Sequence, residues 1–127
     1  MTFRSRPLLD LAKDMDCKAR IPNVCNWDSR TTISAHLPEA LGTGHKQADW
    51  RIAWCCSACH DVIDRRVSSP FTRSQLMVFW EHAHNQTMDE IFEREWLTVA
   101  GHKRKDGSFK RLAKSLPRVK PDWKPAA

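Results

Sequence analysis

The residue types best suited to chemistry are concentrated between positions 56 and 66. Cys56 and Cys59 are separated by two residues, a spacing at which a tight turn can direct two thiolates at one Zn²⁺. His60 follows directly, and Asp64 lies four positions further on, so a helix that begins at the second thiol would carry both on one face. The stretch therefore predicts two centres, a structural zinc on the thiols and a catalytic metal on the histidine and the carboxylate.

Two earlier cysteines complete a four-thiolate set. Cys17 and Cys25 are eight positions apart, which is compatible with a looped half-site. The predicted zinc ligands are Cys17, Cys25, Cys56 and Cys59. Zn²⁺ held by four thiolates is tetrahedral and closed, so the predicted site is structural. The alternative is that the thiols are buried as small apolar side chains. Cys55 is expected to point away from Cys56 and to belong to the core.

An imidazole and a carboxylate one helical turn apart suit a different class of ion. His60 with Asp64 would bind Mg²⁺, Mn²⁺ or a catalytic Zn²⁺. Near such a centre, a neutral imidazole at His36 could take a proton from a water that attacks a phosphodiester. The alternatives are a structural histidine at position 36 and a surface ion pair between Asp64 and Arg65 or Arg66.

Two predicted strands and a helix must hold these groups. Residues 31–37 are rich in β-branched side chains and predict a strand that Pro38 ends. Trp50, Ile52 and Trp54 alternate with other residues, which predicts a second strand with these side chains on one face. Because this strand runs into the thiol turn and its helix, the elements form a ββα unit.

The flanking segments predict further elements. Residues 7–15 predict a short helix, and residues 17–21 predict a short strand. A capping-box pattern begins at Thr72, and a second one begins at Thr87. Apolar side chains follow both at helical spacing, so residues 72–98 predict either two helices or one long helix.

Net charge is distributed unevenly along the 127 residues. The chain carries +6, yet residues 103–127 hold nine Lys or Arg against two Asp, or +7, which leaves −1 for the rest. A basic tail suits a polyanion such as nucleic acid, and the alternative is a solubilising end. We find no signal-peptide pattern and no stretch of membrane-spanning length, which predicts a cytoplasmic chain whose cysteines bind metal.

An ordered set of residues between positions 16 and 66 matches a known pattern. Its members are Cys17-x7-Cys25, Ala35-His36, Gly42-Thr43-Gly44, Asp49, Cys56-Ser57-Ala58-Cys59-His60-Asp61 and Ile63-Asp64-Arg65-Arg66. Together they resemble the small prophage-encoded nucleases of the YbcO type, which belong to the HNH, or ββα-metal, endonuclease group.

The resemblance implies roles for single residues. His36 matches the general base, His60 matches a metal ligand of the catalytic centre, and Asp64 falls where some HNH enzymes carry a further ligand. Many of these enzymes have an acidic ligand at the position of Ala35 and a central asparagine that is missing here. Asp49 is the nearby polar substitute and a further candidate ligand of the catalytic metal. The histidines outside the pattern, which we predict to lie at the surface, are His45, His82, His84 and His102.

The sequence as a whole predicts an α+β fold. We expect a zinc-stapled, HNH-like ββα-metal core over residues 1–68, a helical extension over 69–101 and a flexible basic tail over 102–127. The expected function is metal-dependent hydrolysis of DNA phosphodiester bonds in phage recombination, replication or processing, with structural Zn²⁺ and catalytic Mg²⁺ or Mn²⁺. The expected partners are DNA and phage or host recombination proteins, with no membrane. The predicted nucleic-acid contacts are Arg65, Arg66, Lys103, Arg104 and Lys105.

Two other functions compete with this one. Ala35 and the missing asparagine favour a non-catalytic zinc-containing module that binds nucleic acid or protein. A redox protein that uses the Cys56 and Cys59 pair is disfavoured, because that motif usually opens a helix in a thioredoxin-like βαβ setting, which this sequence does not predict.

Overall fold

The computed structural model of the chain describes residues 2–38 and 47–102 and confirms the predicted small α+β class. A two-stranded antiparallel sheet lies among three helices. In chain order the elements are α1 (Arg6–Asp10), a 3-10 turn (Ser29–Thr31), β1 (Ile33–His36), β2 (Ile52–Cys55), α2 (Ser57–Ile63) and α3 (Arg73–Glu93). Within the described residues no helix is long and apolar enough to cross a membrane.

Strand β2 is buried on both faces and forms the centre of the fold. Ile52 and Trp54 pack in one cluster with residues of α1 and α3, and Ala53 and Cys55 pack in a second cluster that contains the four-thiolate set. The predicted alternation is therefore half correct. Ile52 and Trp54 share a cluster as expected, but Trp50 is exposed because it precedes the strand.

The segment after α1 contains turns instead of the predicted strand. Residues 17–21 are not a strand, because Arg20 adopts a left-handed backbone with φ 46°, which interrupts extended structure. One backbone hydrogen bond, from Lys18 N to the carbonyl of Trp54 at 2.7 Å, ties this segment to β2. The helix predicted over residues 7–15 is also shorter than expected, since α1 ends at Asp10.

Helix α3 is a single helix of 21 residues. The predicted capping box at Thr72 and Gln75 is present. The predicted second cap at Thr87 is wrong: this side chain is fully buried in the middle of the helix, and its hydroxyl accepts a hydrogen bond from Trp54 N at 2.9 Å. Trp80 donates from Nε1 to the carbonyl of Ala35 at 3.0 Å. Helix α3 thus covers the two strands and also makes hydrogen bonds with their backbone polar groups.

Helix α2 ends in a turn that brings the chain back over its own last residues. Arg65 adopts a left-handed backbone with φ 59°, and its amide donates to the carbonyl of Val62 at 3.0 Å. The amide of Arg66 donates to the carbonyl of Asp61 at 2.9 Å, which completes a Schellman motif. This turn places Arg66 beside the carboxylates of Asp61 and Asp64. The predicted division of the chain at residue 68 stays a prediction, and the basic residues 103–127 lie outside the described residues.

Candidate metal centres and active-site cavity

The four predicted zinc ligands meet in one buried cluster. The Sγ atoms of Cys17, Cys25, Cys56 and Cys59 all lie within 4.8 Å of one another. Cys25 and Cys56 are 3.9 Å apart at sulfur. Four thiolates at a tetrahedral Zn²⁺ with bonds of about 2.3 Å would lie about 3.8 Å apart. The cluster therefore has the donor set, burial and spacing to hold a metal such as zinc.

Local backbone geometry aims the sulfurs at one another. The amide of Arg20 donates to Cys17 Sγ at 3.5 Å, and the amide of Cys59 donates to Cys56 Sγ at 3.4 Å. Hydrogen bonding to Cys17 lowers the pKa of Cys56 and raises the pKa of Cys59. Four negative sulfurs buried together are costly without a cation, so the cluster favours metal binding. Cys55 lies outside this set; it is fully buried, and burial raises its pKa.

A cavity of about 520 Å³ brings together His36, His60 and Asp64. His36 enters it from the end of β1, and His60 with Asp64 enters from the second half of α2. The cationic side chains of its lining are Arg65, Arg66 and Arg73. We call this space the active-site cavity, because the residues predicted to do chemistry line it.

His36 is held by a nearly buried carboxylate. His36 Nε2 donates to Asp49 Oδ1 at 2.9 Å, and the side chains are 32% and 7% exposed. Asp49 also accepts from the amide of Ser5 at 2.7 Å and from Arg4 Nη1 at 3.2 Å. Burial raises the pKa of Asp49, but the hydrogen bonds from His36, Ser5 and Arg4 outweigh it and lower the net pKa. Because an ionised carboxylate only accepts, Nε2 carries the proton, and in the neutral ring Nδ1 keeps its lone pair.

His60 and Asp64 form a pair on the exposed face of α2. His60 Nε2 lies 2.9 Å from Asp64 Oδ2, and the side chains are 15% and 24% exposed. Burial raises the pKa of Asp64, but the hydrogen bond and charge of His60, with the charge of Arg66, lower the net pKa. Two ligands bound at right angles to one Mg²⁺ at about 2.1 Å lie about 3.0 Å apart, so this spacing fits a shared cation.

The ligand sets of the two centres differ in size. In the described part of the chain, the thiols are the one group in which three or more candidate ligand atoms come within 4.8 Å. The predicted second centre offers two candidate ligands, His60 and Asp64. Asp49 contacts His36, Ser5 and Arg4 and is not among the described residues that line the cavity.

Several residues of the site could not be predicted from the sequence. Arg4 and Ser5 reach Asp49 across more than forty positions of sequence, and Arg73 joins the cavity only because α3 starts beside α2. His84, which was predicted to be a surface residue, is half-buried. Its Nδ1 lies 2.7 Å from the carbonyl of Ile52. Lys103, Arg104 and Lys105 lie outside the described residues.

The comparisons with known proteins agree with this architecture. Residues 7–95 match the family described as "Putative nuclease YbcO". The chain therefore belongs to the YbcO family of phage and prophage proteins. It is 47% identical over 57 residues to "Putative nuclease YbcO" of Escherichia coli (strain K12), and equally to "Putative nuclease ybcO" of Enterobacteria phage 82. Each match spans 43% of this chain and 59% of the relative, which is less than two thirds of the relative's length.

A solved structure is also similar to this fold. The protein described as "Structure of a putative bacteriophage protein from Escherichia coli str. K-12 substr. MG1655" superposes with a TM-score of 0.60 at 27% identity. The superposition covers 69% of this chain and 99% of the other, so nearly the whole of that protein corresponds to part of this one.

Proposed function

We propose that this chain is a metal-dependent nuclease of the HNH type that hydrolyses DNA phosphodiester bonds. The observation that carries the proposal is the pairing of His36 with Asp49 at 2.9 Å in a cavity that His60 and Asp64 also line. An imidazole held by a buried carboxylate, beside a site for a divalent cation, is the equipment that phosphodiester hydrolysis needs. The family description supports the same chemistry.

In this mechanism His36 is the general base. Its Nε2 proton is committed to Asp49, so Nδ1 is free to take a proton from the attacking water. Asp49 is a positioning residue: it fixes the tautomer and orientation of the ring and stabilises the positive charge that forms on it. The amide of Ser5 and the guanidinium of Arg4 hold the carboxylate in turn. We assign Asp49 this role in preference to a direct metal contact.

His60 and Asp64 would hold the catalytic cation, Mg²⁺ or Mn²⁺. Their 2.9 Å separation and partial exposure to the cavity fit a pair of ligands with further coordination positions left for water and substrate. The bound ion would polarise the scissile phosphate and stabilise the leaving oxygen. Arg66, 3.2 Å from Asp64 and 3.3 Å from Asp61, is held beside the site by these two carboxylates.

Phosphate binding is assigned to the arginines of the cavity. Arg65, Arg66 and Arg73 line it together, and guanidinium groups bind phosphate oxygens through several N–H donors at once. Lys103, Arg104 and Lys105 of the basic tail would add sequence-independent, salt-sensitive affinity. We place the activity in phage DNA recombination, replication or processing, with phage or host recombination proteins as partners.

The direct test is plasmid nicking by the purified chain with Mg²⁺, Mn²⁺ or neither. His36→Ala should lower the rate about 10²- to 10⁴-fold while the chain stays folded and keeps its zinc. His82→Ala is the matched control, because His82 is an exposed histidine of α3 that does not line the cavity, and it should cleave like the wild type. Undiminished cleavage by His36→Ala would overturn the role of His36.

A non-catalytic, zinc-containing binding module is the second candidate. The observation that favours it is that the cavity offers two protein ligands, with Ala35 where an acidic ligand often stands. Retention of DNA by the wild type, indifferent to Mg²⁺ and Mn²⁺ and without cleavage of plasmid or single strands, would favour this module over the nuclease.

A further inference from the structure

A second cavity, of about 280 Å³, adjoins the active-site cavity. Leu37 and Met77 line both, so the two spaces share a wall. The amide of Leu37 donates to the carbonyl of Arg51 at 3.1 Å, which places Arg51 across from the residue that follows His36. We call this second space the Trp50 pocket, because Trp50 contributes its most exposed large apolar side chain.

Flat side chains dominate the Trp50 pocket. The guanidinium of Arg51 lies 5.0 Å from the centre of the Trp50 ring. Trp80 and His84 stack with ring centroids 5.0 Å apart and planes 7° from parallel. Hydrogen bonds from Trp80 to Ala35 and between His84 and Ile52 fix both of these rings. Two of the planar groups, Trp80 and His84, are therefore fixed by hydrogen bonds, and the exposed Trp50 ring adds a face beside them.

The two cavities differ in the balance of their charged side chains. Three arginines line the active-site cavity, which suits phosphate. The Trp50 pocket has one arginine, Arg51, whose guanidinium lies over the Trp50 ring, together with the carboxylate of Glu81 and the amide of Asn85. A carboxylate repels phosphate but accepts hydrogen bonds from amino groups on base edges, and an amide can do both. The chemistry of the Trp50 pocket thus matches a nucleobase better than a backbone phosphate.

We infer that the Trp50 pocket binds an unpaired nucleobase of the strand whose phosphate occupies the active-site cavity. The inference rests on the proposed nuclease function and names its substrate class: single-stranded nucleic acid, or a duplex with an unpaired base next to the cut. Bases within an intact duplex are stacked and paired, so they cannot enter a pocket of this kind without being extruded. A base stacked on Trp50 would be selected for its flat face and not for its sequence.

The test measures binding separately from cleavage. Fluorescence anisotropy, without added Mg²⁺ or Mn²⁺, gives the affinity for a short labelled single strand, for the same strand in a duplex and for an abasic version of it. Trp50→Ala should weaken single-strand binding on the order of tenfold and leave duplex and abasic binding unchanged. Trp50→Phe, which keeps a stacking face, should retain most of the affinity.

The matched control is Phe92→Ala. Phe92 is 42% exposed against 43% for Trp50, and it lines a cavity that shares no residue with the Trp50 pocket. The control should bind all three ligands like the wild type. Unchanged single-strand affinity in Trp50→Ala, an equal loss on duplex and abasic strands, or no single-strand binding by the wild type would each overturn the inference.

The two proposals fail in distinguishable ways. If the wild type cleaves nothing while Trp50→Ala loses single-strand affinity as expected, the nuclease proposal fails and the base pocket stands. If the wild type nicks DNA but Trp50→Ala binds single strands as tightly as the wild type, the pocket alone fails.

Discussion

The two halves of α2 carry donor groups for opposite purposes. Its start brings Cys56 and Cys59 into a fully buried cluster with two further thiols. Its second half and C-cap place His60 and Asp64 at an open cavity, where two candidate ligands would leave room for other molecules. A complete, buried ligand set holds a fold together, whereas an incomplete, accessible set can do chemistry.

The predicted cation site at His60 should depend on the thiolate cluster, whereas the cluster should not depend on the cation site. Cys59 and His60 are adjacent in a helix of seven residues, so the cluster that anchors Cys59 also orients the face that bears His60. Loss of the thiolate cluster should therefore abolish both centres, whereas loss of the cavity residues should spare the cluster.

The largest effect is expected from Cys59→Ala. Structural zinc in small domains contributes about 10–16 kcal/mol of apparent binding free energy, which is comparable with the whole stability of a domain. The variant should lose zinc, its cooperative thermal transition and all cleavage. Metal analysis and circular dichroism melting measure this.

Cys55→Ala is the matched control for the cluster. Cys55 is as buried as Cys59 but is not one of the clustered thiols. Its replacement should cost about 1 kcal/mol and retain zinc. If both variants lost the same stability and kept the same metal content, the cluster would be an ordinary part of the core.

Asp49→Asn should impair catalysis while the chain stays folded and keeps its zinc. The asparagine can present its NH₂ to His36 Nε2, which favours the tautomer whose Nδ1 carries the proton and cannot act as base. We expect kcat to fall on the order of 10²- to 10⁴-fold with KM unchanged. Steady-state kinetics on plasmid DNA, with zinc content measured in parallel, give the result. A rise in KM alone would mean that Asp49 acts through substrate binding.

A smaller effect is expected at the turn that ends α2. Arg65 has a left-handed backbone, so Arg65→Gly removes the charge without straining the turn. DNA binding should weaken uniformly across sequences, and the slope of log affinity against log salt should fall by about 1. Arg20→Gly is the control, since Arg20 is also left-handed but does not line the cavity. An equal change in both variants would mean that Arg65 contributes only general positive charge and makes no specific phosphate contact.

The smallest effect is a pH dependence of stability. The folded pKa of Asp49 lies below its ordinary value, so its contribution is complete above about pH 4 and is lost as the pH falls through the depressed pKa. Urea unfolding should show wild type more stable than Asp49→Asn at neutral pH, with the difference shrinking in acid. Both proteins share the acid sensitivity of the thiolates, so the difference isolates the carboxylate. A difference independent of pH would contradict the ionised state of Asp49.

Local patterns made the metal cluster and the main elements predictable. The spacing of Cys56 and Cys59, the β-branched run before Pro38 and the capping box at Thr72 each act over a few residues, and each appears in the structure as predicted. The prediction of a cap at Thr87 failed because a cap pattern does not reveal that a buried strand amide needs an acceptor.

Long-range contacts could not be predicted in this way. The sequence predicts Asp49 as a polar substitute for the missing asparagine. It does not reveal the partners Arg4 and Ser5, which lie near the N-terminus, more than forty positions away. Arg20 and Arg65 carry no glycine-like signal for their left-handed backbones, which the surrounding turns impose. The sequence predicts a surface position for His84, but in the fold its Nδ1 lies beside the strand carbonyl of Ile52.

We expect the thiols at the start of α2 to hold a structural metal and His60 with Asp64 to hold an exchangeable one, with the structural metal binding whether or not the exchangeable one is present. Electron paramagnetic resonance titration with Mn²⁺, combined with zinc analysis, tests it directly on the wild type and on His60→Ala. We expect His60→Ala to lose the Mn²⁺ site and to keep its zinc. Retained Mn²⁺ affinity in this variant, or loss of zinc together with Mn²⁺, would contradict the separation of the two centres.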